Sequence, residues 1–255
     1  MRIAAVGDVH LGTDSRGLLR PALRELPALA DVLLLAGDLT RHGTPAEAEV
    51  VAHEFADVGV PVVAVLGNHD HHSDAEAEVT QMLESSGITV LEGSATTIEI
   101  NGSTLGIAGT KGFGGGFAGK CASVFGERLM REFAGHTVEL AAELDSALAG
   151  LDTDITIVMT HYAPISDTLH GEPREIYPFL GSYLLGEPID THGADLAVHG
   201  HAHAGTERGS TPGGIRVRNV AQPVIGKAFA IYELHENTDA EPAGDSDQDR
   251  TTVSS

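Results

Sequence analysis

The chain has 255 residues, 42% of them hydrophobic, and a formal net charge of −22 from 15 basic and 37 acidic side chains. This length suits one domain with a large core, whereas the charge argues against a nucleic-acid partner or an anionic membrane surface, because either would repel the chain at long range. The single cysteine excludes an internal disulfide framework and a multi-cysteine zinc site, and with no recognisable transmembrane stretch or signal-peptide core we expect a soluble, cytoplasmic protein.

The first part of the chain predicts a parallel sheet covered by helices. Three apolar runs without polar alternation are typical of buried strands, at residues 3–6, 32–36 and 62–66. Helices are predicted between and after them, at residues 17–26, 44–58 and 73–86. The second helix begins with a capping box of Thr44 and Glu47, with Pro45 in its first turn. Buried strands that alternate with helices indicate a parallel sheet with both faces covered.

From residue 88 onward the pattern becomes mixed. Two strands joined by the turn sequence Asn101-Gly102 predict an antiparallel hairpin at 97–107. A helix is predicted next, at 126–149, followed by buried strands at 155–159 and 194–198 and by two antiparallel strands at 215–219 and 228–232. The predicted fold class is therefore α/β with mixed sheets.

The last twenty residues differ from the rest in composition. Residues 236–255 contain six acidic residues and one arginine, and almost no apolar side chains. Such a segment cannot bury enough apolar surface to offset the entropy of ordering it. We therefore expect one domain over residues 1–235 and an acidic, disordered tail over residues 236–255.

Five short polar motifs share one placement, directly after the carboxyl end of a predicted strand. They are Gly7-Asp8-Val9-His10, Gly37-Asp38, Gly67-Asn68-His69-Asp70, His161 and Gly200-His201-Ala202-His203. The carboxyl ends of strands line one edge of an open α/β sheet, and ligands bind there. Each motif alone is an ordinary turn sequence, but all five in this placement indicate one metal site.

The candidate ligands are two aspartates, one asparagine and four histidines, namely Asp8, His10, Asp38, Asn68, His161, His201 and His203. Mixed oxygen and imidazole donors suit Mn²⁺, Fe²⁺, Zn²⁺ or Co²⁺ better than Ca²⁺. Seven ligands are too many for one tetrahedral ion, but they suit two ions that share a carboxylate and a water. Two ions about 3.5–4 Å apart activate such a water and neutralise the attacking and leaving oxygens.

The order of these motifs resembles the metallophosphoesterase (calcineurin-like phosphoesterase) family, whose pattern is D-x-H, G-D, G-N-H-[DE], H and G-H-x-H. The resemblance covers residues 1 to about 235 and implies two mixed β-sheets packed as a sandwich flanked by helices. It implies that the first metal ion is held by Asp8, His10, Asp38 and His203. It implies that the second is held by Asp38, Asn68, His161 and His201, with Asp38 as the bridge. His69 would contact the phosphate or protonate the leaving group, and Asp70 would orient His69.

The resemblance implies a dinuclear metal-dependent phosphoesterase in which a metal-bridging hydroxide attacks phosphorus in line. The seven-ligand set of oxygen and nitrogen donors, with Asp38 shared, makes Mn²⁺ the expected activator. We favour a small phosphodiester or cyclic nucleotide as substrate, because the chain has the size of small bacterial phosphodiesterase-like members without an added capping domain. The alternative is phosphomonoester hydrolysis, including protein phosphatase activity. A non-catalytic interaction module on the same fold is disfavoured because every ligand position is intact, and a nuclease is disfavoured by the negative charge.

The stretch from Gly109 to Lys120 holds six glycines, two lysines and two phenylalanines in twelve residues. It is read either as a flexible surface linker or as a mobile flap at the edge of the active site, and we favour the flap, with Lys111 contacting phosphate. Two further candidate substrate contacts lie in loops after the first two motifs, at Arg16 and His42.

Overall fold

The structure is a computed structural model, and it describes residues 1–234. Its thirteen described strands are β1 (Arg2–Val6), β2 (Val32–Ala36), β3 (Val62–Val65), β4 (Ile88–Val90), β5 (Ser94–Ile100), β6 (Ser103–Thr110), β7 (Gly116–Phe117), β8 (Lys120–Cys121), β9 (Ile155–Thr160), β10 (Leu196–His199), β11 (Arg208–Ser210), β12 (Arg216–Asn219) and β13 (Ala230–Glu233). The α-helices in the same residues are α1 (Arg20–Leu23), α2 (Leu26–Leu29), α3 (Pro45–Phe55), α4 (Glu76–Ser85), α5 (Arg128–Ala149), α6 (Tyr177–Leu180), α7 (Gly186–His192) and α8 (Gln222–Ile225). Short 3₁₀ turns occupy Asp167–Leu169, Arg174–Ile176 and Tyr183–Leu185.

Two mixed sheets form the body of the molecule. The first has the order β13-β1-β2-β3-β4, with β1 to β4 parallel and β13 antiparallel to β1. The second has the order β11-β12-β10-β9-β6-β5, with parallel pairs in its centre and antiparallel pairs at both edges. This arrangement confirms the predicted fold class of two mixed sheets flanked by helices.

The core lies between the sheets because alternate residues of each strand face alternate sides. In β2, Val32 and Leu34 pack with Ile157 and Met159 of the second sheet. Leu33 and Leu35 of the same strand face outward, where they pack with residues of the flanking helices, such as Phe55. A strand buried on both faces explains why β2 is an unbroken apolar run.

The predicted elements are present, with three differences in detail. The capping box at the start of α3 is formed, and Asn101-Gly102 forms the hairpin turn between β5 and β6. β12, predicted as antiparallel, is parallel to β10 and antiparallel only to the edge strand β11. Helix α4 begins later than predicted, because the Ser73 hydroxyl donates to the carbonyl of His42 and caps no helix.

The helix predicted at 17–26 is two short helices. Pro21 and Pro27 each lie in a first turn, where the missing N–H is not needed. The buried carboxylate of Glu54, in α3, accepts the N–H groups of Gly17, Leu19 and Arg20. These hydrogen bonds replace the intrahelical ones that a helix starting at residue 17 would have.

Two sequence predictions concern the C-terminal tail and the absence of membrane-spanning helices. The tail predicted at 236–255 lies outside the described residues, so the boundary at residue 235 stays a prediction. Across residues 1–234, no helix combines the length and the apolar character needed to cross a bilayer.

Most of the glycine-rich stretch lies inside the molecule rather than on its surface. Residues 111–117 are buried except for the partly buried Phe113. The N–H of Gly115 donates to Pro178 O at 2.7 Å, and that of Gly116 donates to Gly181 O at 2.8 Å. The flap prediction is therefore wrong for these residues, because contacts with the segment around α6 fix them. Hereafter residues 111–117 are called the inner wall.

We expect Gly116→Ala to destabilise the protein more than Gly119→Ala. Both glycines have positive φ, +93° and +84°, so both variants carry a left-handed cost of about 1–2 kcal/mol. A Cβ at Gly116 would also lie 2.2 Å from Lys120 O, whereas one at Gly119 meets nothing within 4 Å. Crowding of this kind adds about 1–3 kcal/mol. Urea unfolding of both variants measures the loss in free energy of unfolding. Equal losses would show that the inner wall accommodates the extra Cβ without strain.

Candidate metal centre

The predicted ligand residues come together where strands of both sheets end. Asp8, Asp38 and Asn68 follow β1, β2 and β3 of the first sheet, whereas His161 and His201 follow β9 and β10 of the second. The shared edge explains how residues far apart in sequence meet.

Two groups of ligand atoms form at this edge, each with all its atoms within 4.8 Å of one another. The first group consists of Asp8, His10, Asp38 and His203, and the second of Asp38, His161 and His201. Asn68 adjoins the second group, with its Oδ1 3.0 Å from His161 Nε2. The structure thus brings together all seven predicted ligands.

Asp38 lies between the groups. Its Oδ1 is 3.3 Å from His161 Nε2, and its Oδ2 is 3.8 Å from His10 Nε2. In the first group, Asp8 Oδ1 is 2.8 Å from His203 Nε2. One carboxylate that faces both groups is the arrangement expected of a bridging ligand.

The charges of the cluster fit divalent cations. The Asp8 and Asp38 side chains are almost fully buried, and within residues 1–234 their ion-pair partners are histidines only. Burial by itself raises the pKa of Asp38, but the charge and hydrogen bond of His161 outweigh it and hold this pKa well below its usual range. Burial lowers the pKa of His161, but Asp38 raises it more, to about 9. A buried carboxylate needs a positive partner, and here protonated imidazoles provide it. Divalent cations would take over this role and release the imidazole protons on binding.

His201 differs from His161 in its charge. Burial, together with the charge of His161, lowers the pKa of His201 to about 3, so its ring is neutral, which is the form that binds metals. Its Nε2 lies 3.1 Å from the carbonyl oxygen of Phe179.

The glycines of three motifs make room for a ligand from another strand. A Cβ at Gly37 would lie 2.5 Å from His161 Nδ1, and one at Gly67 would lie 2.1 Å from Asp38 Oδ1. A Cβ at Gly200 would lie 2.3 Å from Asp8 Oδ2. Any larger residue would displace a ligand, which explains why the motifs pair glycine with Asp, Asn or His.

The backbone is strained at the ligands themselves. Seven non-glycine residues of the described chain have φ in the left-handed region, and four of them are predicted ligands. These four are Asp8 at 56°, His10 at 42°, Asp38 at 51° and His201 at 69°. Left-handed conformations of such residues cost on the order of 1–3 kcal/mol each and cluster at functional sites.

His69 lies at the edge of the first group. Its Nδ1 is 2.8 Å from Arg41 O, and its backbone N–H donates to Asp38 Oδ1 at 2.8 Å. The ring contacts that of His10, with 4.5 Å between centroids, and Nε2 is 4.0 Å from Asp38 Oδ2. The ring is therefore oriented by a backbone carbonyl and directs Nε2 toward the ligand cluster.

Asp70 does not orient His69, contrary to the role that the resemblance implied. Its buried carboxylate accepts the N–H groups of Leu39, Thr40 and Gly67 and the hydroxyl of Thr40. These contacts join the loops after β2 and β3, because the Asp70 carboxylate binds groups from both. Asp70 thus stabilises the two loops that present Asp38 and Asn68.

The three candidate substrate contacts lie at different distances from the cluster. Lys111 is buried, its Nζ donates to Gly112 O at 3.2 Å, and burial lowers its pKa. His42 is partly exposed, with Nδ1 3.0 Å from Glu47 Oε1. Arg16 is exposed and lies 4.0 Å from Glu49, so the structure does not bring it to the ligands.

Two further residues lie beside the cluster, and of these sequence reasoning missed Tyr162. Tyr162 stacks on His201 with 4.3 Å between ring centroids, although nothing in the sequence distinguished it except its position after His161. His199 is fully buried, with Nε2 2.8 Å from Thr168 Oγ1 and Nδ1 2.7 Å from Gly200 O, so it supports the loop that carries His201.

Comparisons with known proteins identify the family and the fold. A family model described as calcineurin-like phosphoesterase matches residues 1–205. A probable cyclic nucleotide phosphodiesterase from Synechococcus sp. is 35% identical over 80 residues, which are 28% of this chain and 31% of that protein. The alignment thus spans less than a third of the relative's length.

Solved structures share the fold at low sequence identity. The phosphopantetheinyl hydrolase of Mycobacterium tuberculosis superimposes with a TM-score of 0.66 at 15% identity, covering 94% of this chain and 98% of that one. A hypothetical protein from Thermus thermophilus superimposes with a TM-score of 0.51 at 17% identity, covering 86% of this chain and 75% of that one. With the family model matching most of its length, the chain belongs to the calcineurin-like phosphoesterase family.

Proposed function

We propose that this protein is a dinuclear metal-dependent phosphoesterase that hydrolyses a small phosphodiester, such as a cyclic nucleotide. The observation that carries the proposal is the Asp38 carboxylate, which faces two separate groups of ligand atoms. The phosphodiesterase name of the Synechococcus relative supports a diester over a monoester. Phosphomonoester hydrolysis is the second candidate, since the candidate ligands do not distinguish the two reactions.

Two divalent ions account best for the donor set. The first ion would be held by Asp8, His10, Asp38 and His203, and the second by Asp38, Asn68, His161 and His201. The absence of thiolates and the mixture of oxygen and nitrogen donors favour Mn²⁺, with Fe, Zn or Co as alternatives. When bound, the ions supply Lewis acidity and a nucleophilic water.

His69 is the proposed acid for the leaving group. Its Nδ1 contacts a carbonyl oxygen, which only accepts, so Nδ1 carries a hydrogen in either charge state. The proton that His69 gains or releases therefore resides on Nε2, the nitrogen on the side of Asp38 and the ligand cluster. From there it reaches the oxygen of a departing alcohol, or it stabilises charge on a phosphate oxygen.

Positive side chains complement the metals in binding an anionic ester. Lys111 lies behind the second ligand group as part of the inner wall, and the charge of Asp38 acts on it. We propose that its ammonium offsets phosphate charge from a fixed position rather than from a flap. His42 and Arg16 are proposed as weaker contacts for the substrate farther out, since both side chains are exposed.

We expect the purified protein to carry up to two transition-metal ions per chain and to be activated best by Mn²⁺. Chelation should abolish hydrolysis of bis-p-nitrophenyl phosphate, and added Mn²⁺ should restore it, because buried carboxylates and imidazoles alone provide no activated water. Elemental analysis before and after chelation measures the metal. Full activity in excess chelator without bound metal would refute the proposal. The ratio of activity on bis- and mono-p-nitrophenyl phosphate decides between diester and monoester.

A further inference from the structure

The ring of Tyr162 is fixed between the second ligand group and the inner wall. Its centroid lies 4.3 Å from that of His201, at 42°, and 5.6 Å from that of His161, at 90°. The ring also contacts Phe113 at 5.7 Å between centroids, and Lys111 Nζ lies 5.5 Å from its centroid. Only 7% of the residue is exposed, so the ring has little freedom to move.

Backbone hydrogen bonds also fix the position of Tyr162. Its N–H donates to Lys111 O at 3.0 Å, and its carbonyl accepts the hydroxyl of Thr160 at 2.8 Å. The same Lys111 carbonyl accepts the N–H of His161 at 3.1 Å. Tyr162 and a proposed metal ligand are thus held by one acceptor, and their relative position is set by the fold.

The hydroxyl of Tyr162 is an unused donor. It forms no hydrogen bond within residues 1–234, unlike the hydroxyls of Tyr177 and Tyr232, which donate to Leu169 O at 2.9 Å and Glu207 Oε1 at 3.0 Å. It is not sealed off either, since among these residues the one enclosed and unpaired side-chain nitrogen or oxygen is His71 Nε2. A nearly buried tyrosine usually has a partner for its hydroxyl. The accessible part of Tyr162 therefore includes a hydrogen-bond donor that has no acceptor within residues 1–234.

An anion is the acceptor that these surroundings favour. A phenol hydroxyl can donate a hydrogen bond. The Lys111 ammonium over the same ring favours negative charge nearby. Phosphate oxygens are acceptors without hydrogens when ionised, and a hydrogen bond to a charged acceptor is the stronger kind.

We infer that the Tyr162 hydroxyl donates a hydrogen bond to a phosphate oxygen of the ester bound at the second ligand group. Tyr162 is then a substrate-binding residue of the site, with Lys111 behind it. This inference rests on the proposed function for the identity of the anion.

The test compares Tyr162→Phe with Tyr232→Phe in the full chain loaded with Mn²⁺. Tyr162→Phe should weaken binding of inorganic phosphate, measured by titration calorimetry, by about 10- to 100-fold, because a hydrogen bond to a charged group contributes about 1.5–3 kcal/mol. KM for bis-p-nitrophenyl phosphate should rise by a similar factor with a smaller change in kcat. Metal content should not change. Tyr232→Phe removes a hydroxyl paired with Glu207 and should alter neither value.

The outcomes separate this inference from the proposed function. Weaker phosphate binding by Tyr162→Phe with unchanged metal content supports the inference, whether or not the wild-type protein hydrolyses any ester tested. Unchanged phosphate binding in a variant that still hydrolyses the diester overturns the inference and leaves the proposed function standing. Loss of metal from Tyr162→Phe also overturns it, because the hydroxyl would then act through the ligands.

Discussion

Asp38→Ala is expected to abolish phosphoesterase activity and to lower metal occupancy at both sites. Asp38 is the one residue shared by the two ligand groups, and its carboxylate balances the charge of the buried His161. Removing it leaves neither group with its full set of donors. Elemental analysis of the purified variant, together with hydrolysis of bis-p-nitrophenyl phosphate at saturating Mn²⁺, measures both effects.

Asp57→Ala provides a matched control for this variant. Asp57 has φ of 54°, close to the 51° of Asp38, but it belongs to neither ligand group. The control therefore places alanine in the same backbone conformation without removing a ligand, and it should keep metal and activity. If Asp38→Ala kept two ions and normal turnover, the bridging role would be wrong.

His69→Ala is expected to reduce kcat by about 10²- to 10⁴-fold, the usual scale for a positioned acid or base, while both metal ions stay bound. The backbone N–H of residue 69, which holds Asp38 Oδ1, is present in the variant. Only the ring oriented by the Arg41 carbonyl is lost. Steady-state kinetics with metal analysis on the same sample measures the two quantities together.

His72→Ala is the companion variant for His69→Ala. His72 is exposed, and its ring lies 6.3 Å from that of His69, outside both ligand groups. It should retain nearly full turnover, so a loss specific to His69 is not a general effect of removing an imidazole from this loop. Should His69→Ala lose a metal ion, His69 would be a ligand and not an acid.

The sheets and the ligand cluster could be predicted because both depend on local patterns. Continuous apolar runs such as 32–36 indicate buried parallel strands, and the capping box at Thr44 fixes the start of α3. Once these strands are placed, a general rule brings their carboxyl ends to one edge. The convergence of Asp8 with His203 then follows, although 195 positions separate them.

The features that escaped prediction depend on contacts between distant segments. Glycines at 109–120 suggest a mobile chain, but the N–H groups of Gly115 and Gly116 donate to the carbonyls of Pro178 and Gly181 within the buried inner wall. The carboxylate of Asp70 has several donors within reach, and only the fold shows that it binds those of Leu39 and Thr40 rather than His69. No local sequence pattern distinguishes these cases, because the hydrogen-bond partners lie far away along the chain.

The left-handed backbone at Asp8, His10, Asp38 and His201 also bears on how descendants of this chain would diverge. Glycine adopts this conformation without steric cost, so replacing any one of the four by glycine would relieve on the order of 1 kcal/mol of strain. In a lineage released from metal binding, glycine would be the replacement that this backbone conformation favours at these positions. Glycine at Asp38 or Asp8 would also leave His161 or His203 without its carboxylate partner, so the backbone strain and the ion pairs oppose each other at these two positions.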